Sequence, residues 1–175
     1  IHPSALPKFR GSSPIQAQIL QGVKESSITF IKMDEEVDHG PILKVIPFKI
    51  KDDDTFESTA HRAFKKASYA LPEIINEYVQ GKIKSIEQDH SKATYTKHLK
   101  REDGFVDIEN PPDALRLDRM IRAFYPWPSV WTRSMISGQA RTVKFLPNKK
   151  VQIEGKNPMS YKDFINGYKE GKEFL

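Results

Sequence analysis

Phe56, Ala60, Ala63, Phe64, Ala67, Leu71, Ile74, Ile75 and Tyr78 recur at three- and four-residue steps, the spacing that lines up side chains along one side of an α-helix. A helix that long with one apolar stripe has to bury it against another layer. Its start is marked by Asp54-Thr55-Phe56-Glu57, which has capping-box chemistry. Pro72 is expected to kink it and Gly81 to close it. Ahead of it lie two runs rich in β-branched and aromatic residues, 27–33 (SITFIKM) and 42–46 (ILKVI), with the polar loop 34–41 (DEEVDHGP) between them. Both runs read as strands, the second ending or lying on an edge at Pro47. Ser13 followed by Pro14 offers a capping hydroxyl and a proline at the first helical position, opening a short helix that stops at Gly22. Strands and helices alternating in this way predict an α/β architecture.

The second part of the chain has a different texture. Residues 82–98 are polar and weakly periodic and read as a linker. A helix is expected from about Pro111 to Phe124, with Ala114, Leu117, Ile121 and Phe124 on one face and Arg116, Arg119 and Arg122 largely off it. Tyr125-Pro126-Trp127-Pro128 breaks it. Short strands follow near 129–136, 140–146 and 150–154, with turn signals at Ser137-Gly138 and Pro147-Asn148. Ser160 with Asp163 starts a last short helix. A helix followed by short strands suggests a small barrel-like or α+β module.

Charge separates the two parts as well. The net charge is +5, but residues 114–156 hold 9 Lys/Arg against 2 Asp/Glu, a local excess of +7. A basic stretch inside a folded module points to a polyanion partner, or else to a merely solvated basic face. No apolar run approaches the roughly 18 residues of a membrane span. Cysteine is absent, which excludes disulfides and thiolate metal sites and fits a reducing compartment. The chain opens on Ile1 rather than methionine and reads as a piece of something longer, so a leader peptide cannot be judged from it.

Among the five histidines no i,i+4 pair brackets a glutamate, and there is no Gly-rich phosphate loop, so zincin and P-loop chemistry are not supported. Asp52-Asp53-Asp54 reads as an acidic lead-in to a helix rather than as metal ligands. His2, in a Pro-rich turn, and Asp38, in the polar loop, stand out only by position. Both are at strand-proximal loops, where open α/β sheets place their sites.

The run Ile1-His2-Pro3-Ser4-Ala5-Leu6-Pro7-Lys8-Phe9-Arg10-Gly11-Ser12-Ser13-Pro14-Ile15-Gln16 resembles the segment [IV]-H-x-S-L-L-P-x-x-[RK]-G-x-x-P-I-Q of the folate-dependent formyltransferases. Ser27-Ile28-Thr29 and the run from Met33 to Leu43 (MDEEVDHGPIL) resemble that family's G-V-T and M-D-x-G-[LV]-D-x-G-x-[IM]-L. Arg122-Ala123-Phe124-Tyr125-Pro126-Trp127-Pro128 with Trp131 is similar to the R-A-F-x-P-W-P-x-x-W signature of the methionyl-tRNA formyltransferase C-terminal domain. Gly155-Lys156-Asn157-Pro158-Met159-Ser160 resembles the closing G-K-K-x-M-[ST].

This resemblance implies the second half of a Rossmann-like catalytic domain over 1–84, a linker over 85–98, and over 99–175 a shortened OB-like β-barrel with a leading helix that binds tRNA. It implies formyl transfer from 10-formyltetrahydrofolate, as co-substrate, to the amine of methionyl-initiator tRNA, without a metal. The protein is expected to be a cytoplasmic or organellar monomer without a membrane partner. His2 and Asp38 fall on the catalytic histidine and aspartate, with His2 kept cationic by Asp38. The family's catalytic asparagine falls just ahead of Ile1, so the chain alone is expected to be inactive.

Folate contacts are implied for Ser4, Ala5, Leu6 and Pro7 and for Glu35, Glu36 and Val37. Candidates for tRNA contact are Lys8, Arg10, Arg119, Arg122, Arg133, Arg141, Lys144, Lys149 and Lys150. Phe124, Tyr125, Trp127 and Trp131 are better read as packing than as base-stacking groups. Two departures from the family pattern stand out. Ala5 replaces a leucine, thinning one wall of the folate loop, and Ser27 replaces a glycine, which would be uncomfortable at positive φ. Other readings are a sugar-amine or glycinamide ribonucleotide formyltransferase and a non-catalytic RNA-binding module.

Overall fold

The computed structural model describes residues 1–169, so residues 170–175 of the expected second module lie outside the described residues. The chain divides into two compact units, Ile1–His98 and Leu99–Leu175.

In the first unit, β2 (Glu25–Ile31) and β3 (Ile42–Lys49) form an antiparallel pair. Two helices, α1 (Pro14–Gln21) and α2 (Phe56–Val79), pack on each other, and α2 also packs on β3. The core holds Ile15, Ile19, Ile28, Phe30, Phe48, Ala63, Ala67 and Ile74. Each large aliphatic side chain buried here contributes about 1.5–3 kcal/mol. A second, parallel pair joins β1 (Arg10–Gly11) to β4 (Tyr95–Thr96). The mixed α/β class follows.

Several local expectations change. Ser13 occupies the cap position of α1 without a side-chain cap bond; its backbone N–H donates to Thr96 Oγ1 instead, at 3.1 Å. The capping box of α2 is built by Thr55 with Ser58. Asp54, within the acidic lead-in, accepts from the Lys51 N–H and pairs with Arg62, while Asp52 pairs with Lys24. Helix α2 runs through Pro72. Its stripe is only half covered, because Phe64, Ile75 and Tyr78 are exposed. Ser27 sits within β2 opposite Pro47 and is not among the positive-φ residues, so loss of the family's glycine carries no strain there.

The stretch read as a linker is stitched into the first unit. Ile86 exchanges both backbone bonds with Ile42, Thr94 accepts the Arg10 N–H at 2.8 Å, and its hydroxyl accepts from the Phe9 N–H at 2.8 Å. Polar, aperiodic residues gave no sign of this. A segment held by backbone and hydroxyl bonds needs no apolar repeat.

The first α-helix of the second unit is α3 (Ala114–Phe124), capped by Asp113. It starts three residues later than the sequence suggested, because Pro111 and Pro112 precede the cap. Four strands follow: β5 (Val130–Ile136), β6 (Gln139–Leu146), β7 (Lys150–Ile153) and β8 (Met159–Ser160). They pair antiparallel in chain order. A last helix, α4 (Tyr161–Gly167), is capped by Ser160. Ile136, Val143, Val151, Ile153 and Phe164 form the core between sheet and helix. The expected barrel is corrected. Among the described residues the sheet is an open meander, whose two-residue last strand does not pair back to β5. No helix among the described residues is long and apolar enough to cross a membrane.

Candidate active site

The site is assembled around Thr29 on β2. Its backbone exchanges two 2.8 Å bonds with His2. Its hydroxyl donates to the Ser4 carbonyl at 2.6 Å and faces the Leu6 N–H at 3.4 Å. The segment 2–6 is thereby laid along the strand with the His2 ring buried at 4% exposure. The following turn brings the Phe9 carbonyl to His2 Nε2 at 2.8 Å. A carbonyl can only accept, so Nε2 carries a hydrogen. The proton that comes and goes therefore does so at Nδ1.

His2 Nδ1 faces Asp38 Oδ1 at 3.3 Å. Asp38 reaches this position through a left-handed backbone, φ 55°, which aspartate tolerates better than most residues. Its other oxygen accepts the Gly11 N–H at 2.8 Å. Gly11 has φ 104°, and a Cβ there would sit 2.7 Å from the Thr96 carbonyl oxygen. Burial, the largest influence, holds the His2 pKa below its ordinary value; the Phe9 bond and the Asp38 charge pull it partly back. Both ring nitrogens of His2 face acceptors, the Phe9 carbonyl and the Asp38 carboxylate, so Asp38 is placed to favour the imidazolium against the cost of burial.

A histidine and an aspartate brought together in this way, on an α/β frame, agree with the family resemblance. The family model for formyl transferase matches residues 1–75. The methionyl-tRNA formyltransferase of Roseiflexus castenholzii is 41% identical over 134 residues, covering 75% of this chain and 42% of that protein. Residues 1–75 belong to the formyl transferase family.

Solved structures share the fold. The methionyl-tRNA formyltransferase of Clostridium thermocellum superposes with a TM-score of 0.62 at 22% identity, over 90% of this chain and 66% of that one. HypX of Aquifex aeolicus, in complex with tetrahydrofolic acid, superposes with a TM-score of 0.69 at 18% identity, over 87% of this chain and 29% of that one. The chain spans less than half the length of the curated relatives it matches.

The other expected site residues divide by accessibility. Ser4 and Leu6 are buried, and the Ser4 hydroxyl donates to the Lys8 carbonyl at 2.6 Å. Both shape the loop from within, while Ala5 is exposed and Pro7 half-buried. Glu35, Glu36 and Val37 are exposed beside Asp38.

Of the expected RNA contacts, Lys8 is exposed. Arg10 is not: it is 1% exposed, and its guanidinium donates to Gln88 Oε1 at 2.8 Å and His90 Nδ1 at 2.9 Å. That assignment is corrected, because its charge is enclosed. Strand register puts Arg133, Lys144 and Lys150 on the outward face of the second sheet. Arg141 falls on the opposite face and is tied to the Glu154 carbonyl and Gln139. Arg119 and Arg122 are half-buried on α3, the latter paired with Asp118, and Lys149 is exposed in the β6–β7 turn.

Trp131 is clasped by its own unit. Its indole N–H donates to the Arg101 carbonyl at 3.0 Å, Phe105 meets it edge-on, and the Arg101 guanidinium lies over its ring. Phe124 is buried, whereas Trp127 is exposed.

Proposed function

We propose that this chain supplies the His–Asp half of a site that transfers the formyl group of 10-formyltetrahydrofolate to the amino group of methionyl-initiator tRNA. The observation that carries the reading is the pairing of His2 Nδ1 with Asp38 Oδ1 at 3.3 Å in a chain this similar to methionyl-tRNA formyltransferases. The amine that attacks the formyl carbon must lose a proton, and the folate nitrogen that leaves must gain one. His2 Nδ1 takes the first and returns it to the second, so the proton count closes without a metal. Asp38 stabilises the imidazolium in between.

Ala5, three positions after His2, and the exposed loop 35–37, just before Asp38, offer contacts for the folate ring system. The outward cations Arg133, Lys144 and Lys150 supply charge for phosphate contacts. The chain spans less than half the length of those relatives, and the transfer proposed here draws on groups from the remaining portion, an oxyanion donor among them.

The test is single-turnover formyl transfer by the full-length protein, offered charged initiator tRNA and, in parallel, amino-sugar nucleotides. Formylation of the tRNA supports the proposal. Formylation of the sugar nucleotide alone reassigns the acceptor, and no transfer to either leaves a binding protein.

A further inference from the structure

Gln88 lies outside the segments that carry the family resemblance, yet its side chain is 4% exposed and makes four contacts. Its Nε2 faces the carbonyl oxygens of Asp38 and His39 at 3.0 Å each and of Gly40 at 2.7 Å. Its Oε1 accepts from Arg10 Nη2 at 2.8 Å. The orientation of the amide is determined by its partners: a guanidinium has only donors and a carbonyl only acceptors, so the nitrogen must face the loop. Three consecutive carbonyls turned toward one point repel one another unless a donor sits there.

The same turn holds Asp38 at positive φ. It also brings Gly40 against β2, where a Cβ would lie 1.9 Å from the Lys32 carbonyl oxygen. Arg10 is itself fixed by its place in β1 and by His90, whose ring stacks on His39 of the same loop at 4.0 Å between centroids. Gln88 and Arg10 therefore clamp the loop from behind, through side chains that do not touch His2 or the Asp38 carboxylate.

We propose that Gln88, held by Arg10, is a positioning residue: its amide fixes the 38–40 turn and thereby sets the Asp38 carboxylate against His2. This deepens the function proposed above and rests on it for its catalytic consequence.

The experiment is histidine-selective NMR titration of the full-length protein, read at His2 in wild type, Asp38→Asn and Gln88→Met. The charged groups around His2 are Asp38 and Arg10, with the Ile1 position adjoining. Asp38→Asn lowers the His2 midpoint. Gln88→Met is expected to lower it in the same direction, by about half that shift or more, with cooperative thermal unfolding retained. If Gln88→Met does not fold, Gln88→Asn, which keeps the amide but is too short to bridge Arg10 and the loop, gives the same reading.

In the transfer assay the substitution lowers kcat roughly tenfold or more, with the KM for 10-formyltetrahydrofolate within about twofold. A His2 midpoint unmoved by the Gln88 substitution, while Asp38→Asn moves it, overturns the positioning role and leaves the function untouched. A midpoint unmoved even by Asp38→Asn removes the His–Asp pair and both readings with it.

Discussion

Gly11 donates its backbone N–H to Asp38 Oδ2 at 2.8 Å, across 27 positions of the chain. This bond leaves Oδ1 free to face His2, and it comes from the one residue in β1 whose backbone a side chain would disturb. The three groups come from three segments: His2 is laid against β2, Asp38 sits in the loop between β2 and β3, and Gly11 lies in β1, which pairs with β4.

Gly11→Ala should therefore damage both stability and the site. Its φ of 104° and the 2.7 Å approach to the Thr96 carbonyl imply a loss of roughly 1–3 kcal/mol. Denaturant unfolding of the full-length protein measures the first effect and the His2 titration the second. An unchanged midpoint in both would mean the loop repacks freely.

Thr29→Val keeps shape and β-propensity but removes the hydroxyl between the Ser4 carbonyl and the Leu6 N–H. A buried carbonyl left without its donor costs about 1–3 kcal/mol. The expected outcome is a lower urea midpoint at constant m-value, with turnover falling further as the segment 2–6 loosens.

Much of this was legible in the sequence, and the limits have physical causes. Motif spacing singles out His2 and Asp38, whose side chains the fold brings to 3.3 Å; cap and stop residues mark α1, and residue patterning marks α2 and the strands. Gln88, Thr94 and Thr96 were missed because they act through amide, hydroxyl and backbone bonds, which leave no period. Arg10 was misplaced because a basic residue in a loop looks exposed until the polar partners that enclose it are known. The barrel was overdrawn because strand signals reveal strands, whereas closure depends on pairing between the first and last.

Acid sensitivity follows from His2. Burial holds its folded pKa below the ordinary 6.5, so below about pH 6.5 the unfolded chain binds more protons than the folded one. Stability then falls as the pH drops through that range, and the loss levels off beneath the folded value. His2→Gln should flatten this limb of the stability profile. In wild type the transfer rate should rise with pH, with its midpoint below the ordinary histidine value.

The basic face of the second sheet gives a separate test. Arg133→Glu with Lys144→Glu should weaken tRNA binding and reduce the slope of log K against log salt by roughly 2. Gln139 and Glu154 already engage Arg141, so Arg141→Glu should change the slope less. Equal slopes for all variants would return these cations to the solvated surface.

The measurement closest to the centre of the account is single-turnover formyl transfer to methionyl-initiator tRNA by the full-length protein, wild type against His2→Ala, with 10-formyltetrahydrofolate binding followed in the same preparations. The account predicts a rate lower by about 10²–10⁴-fold in the variant with folate affinity nearly intact. A variant that turns over at close to the wild-type rate would show that the imidazole at position 2 carries no proton, and would contradict the mechanism.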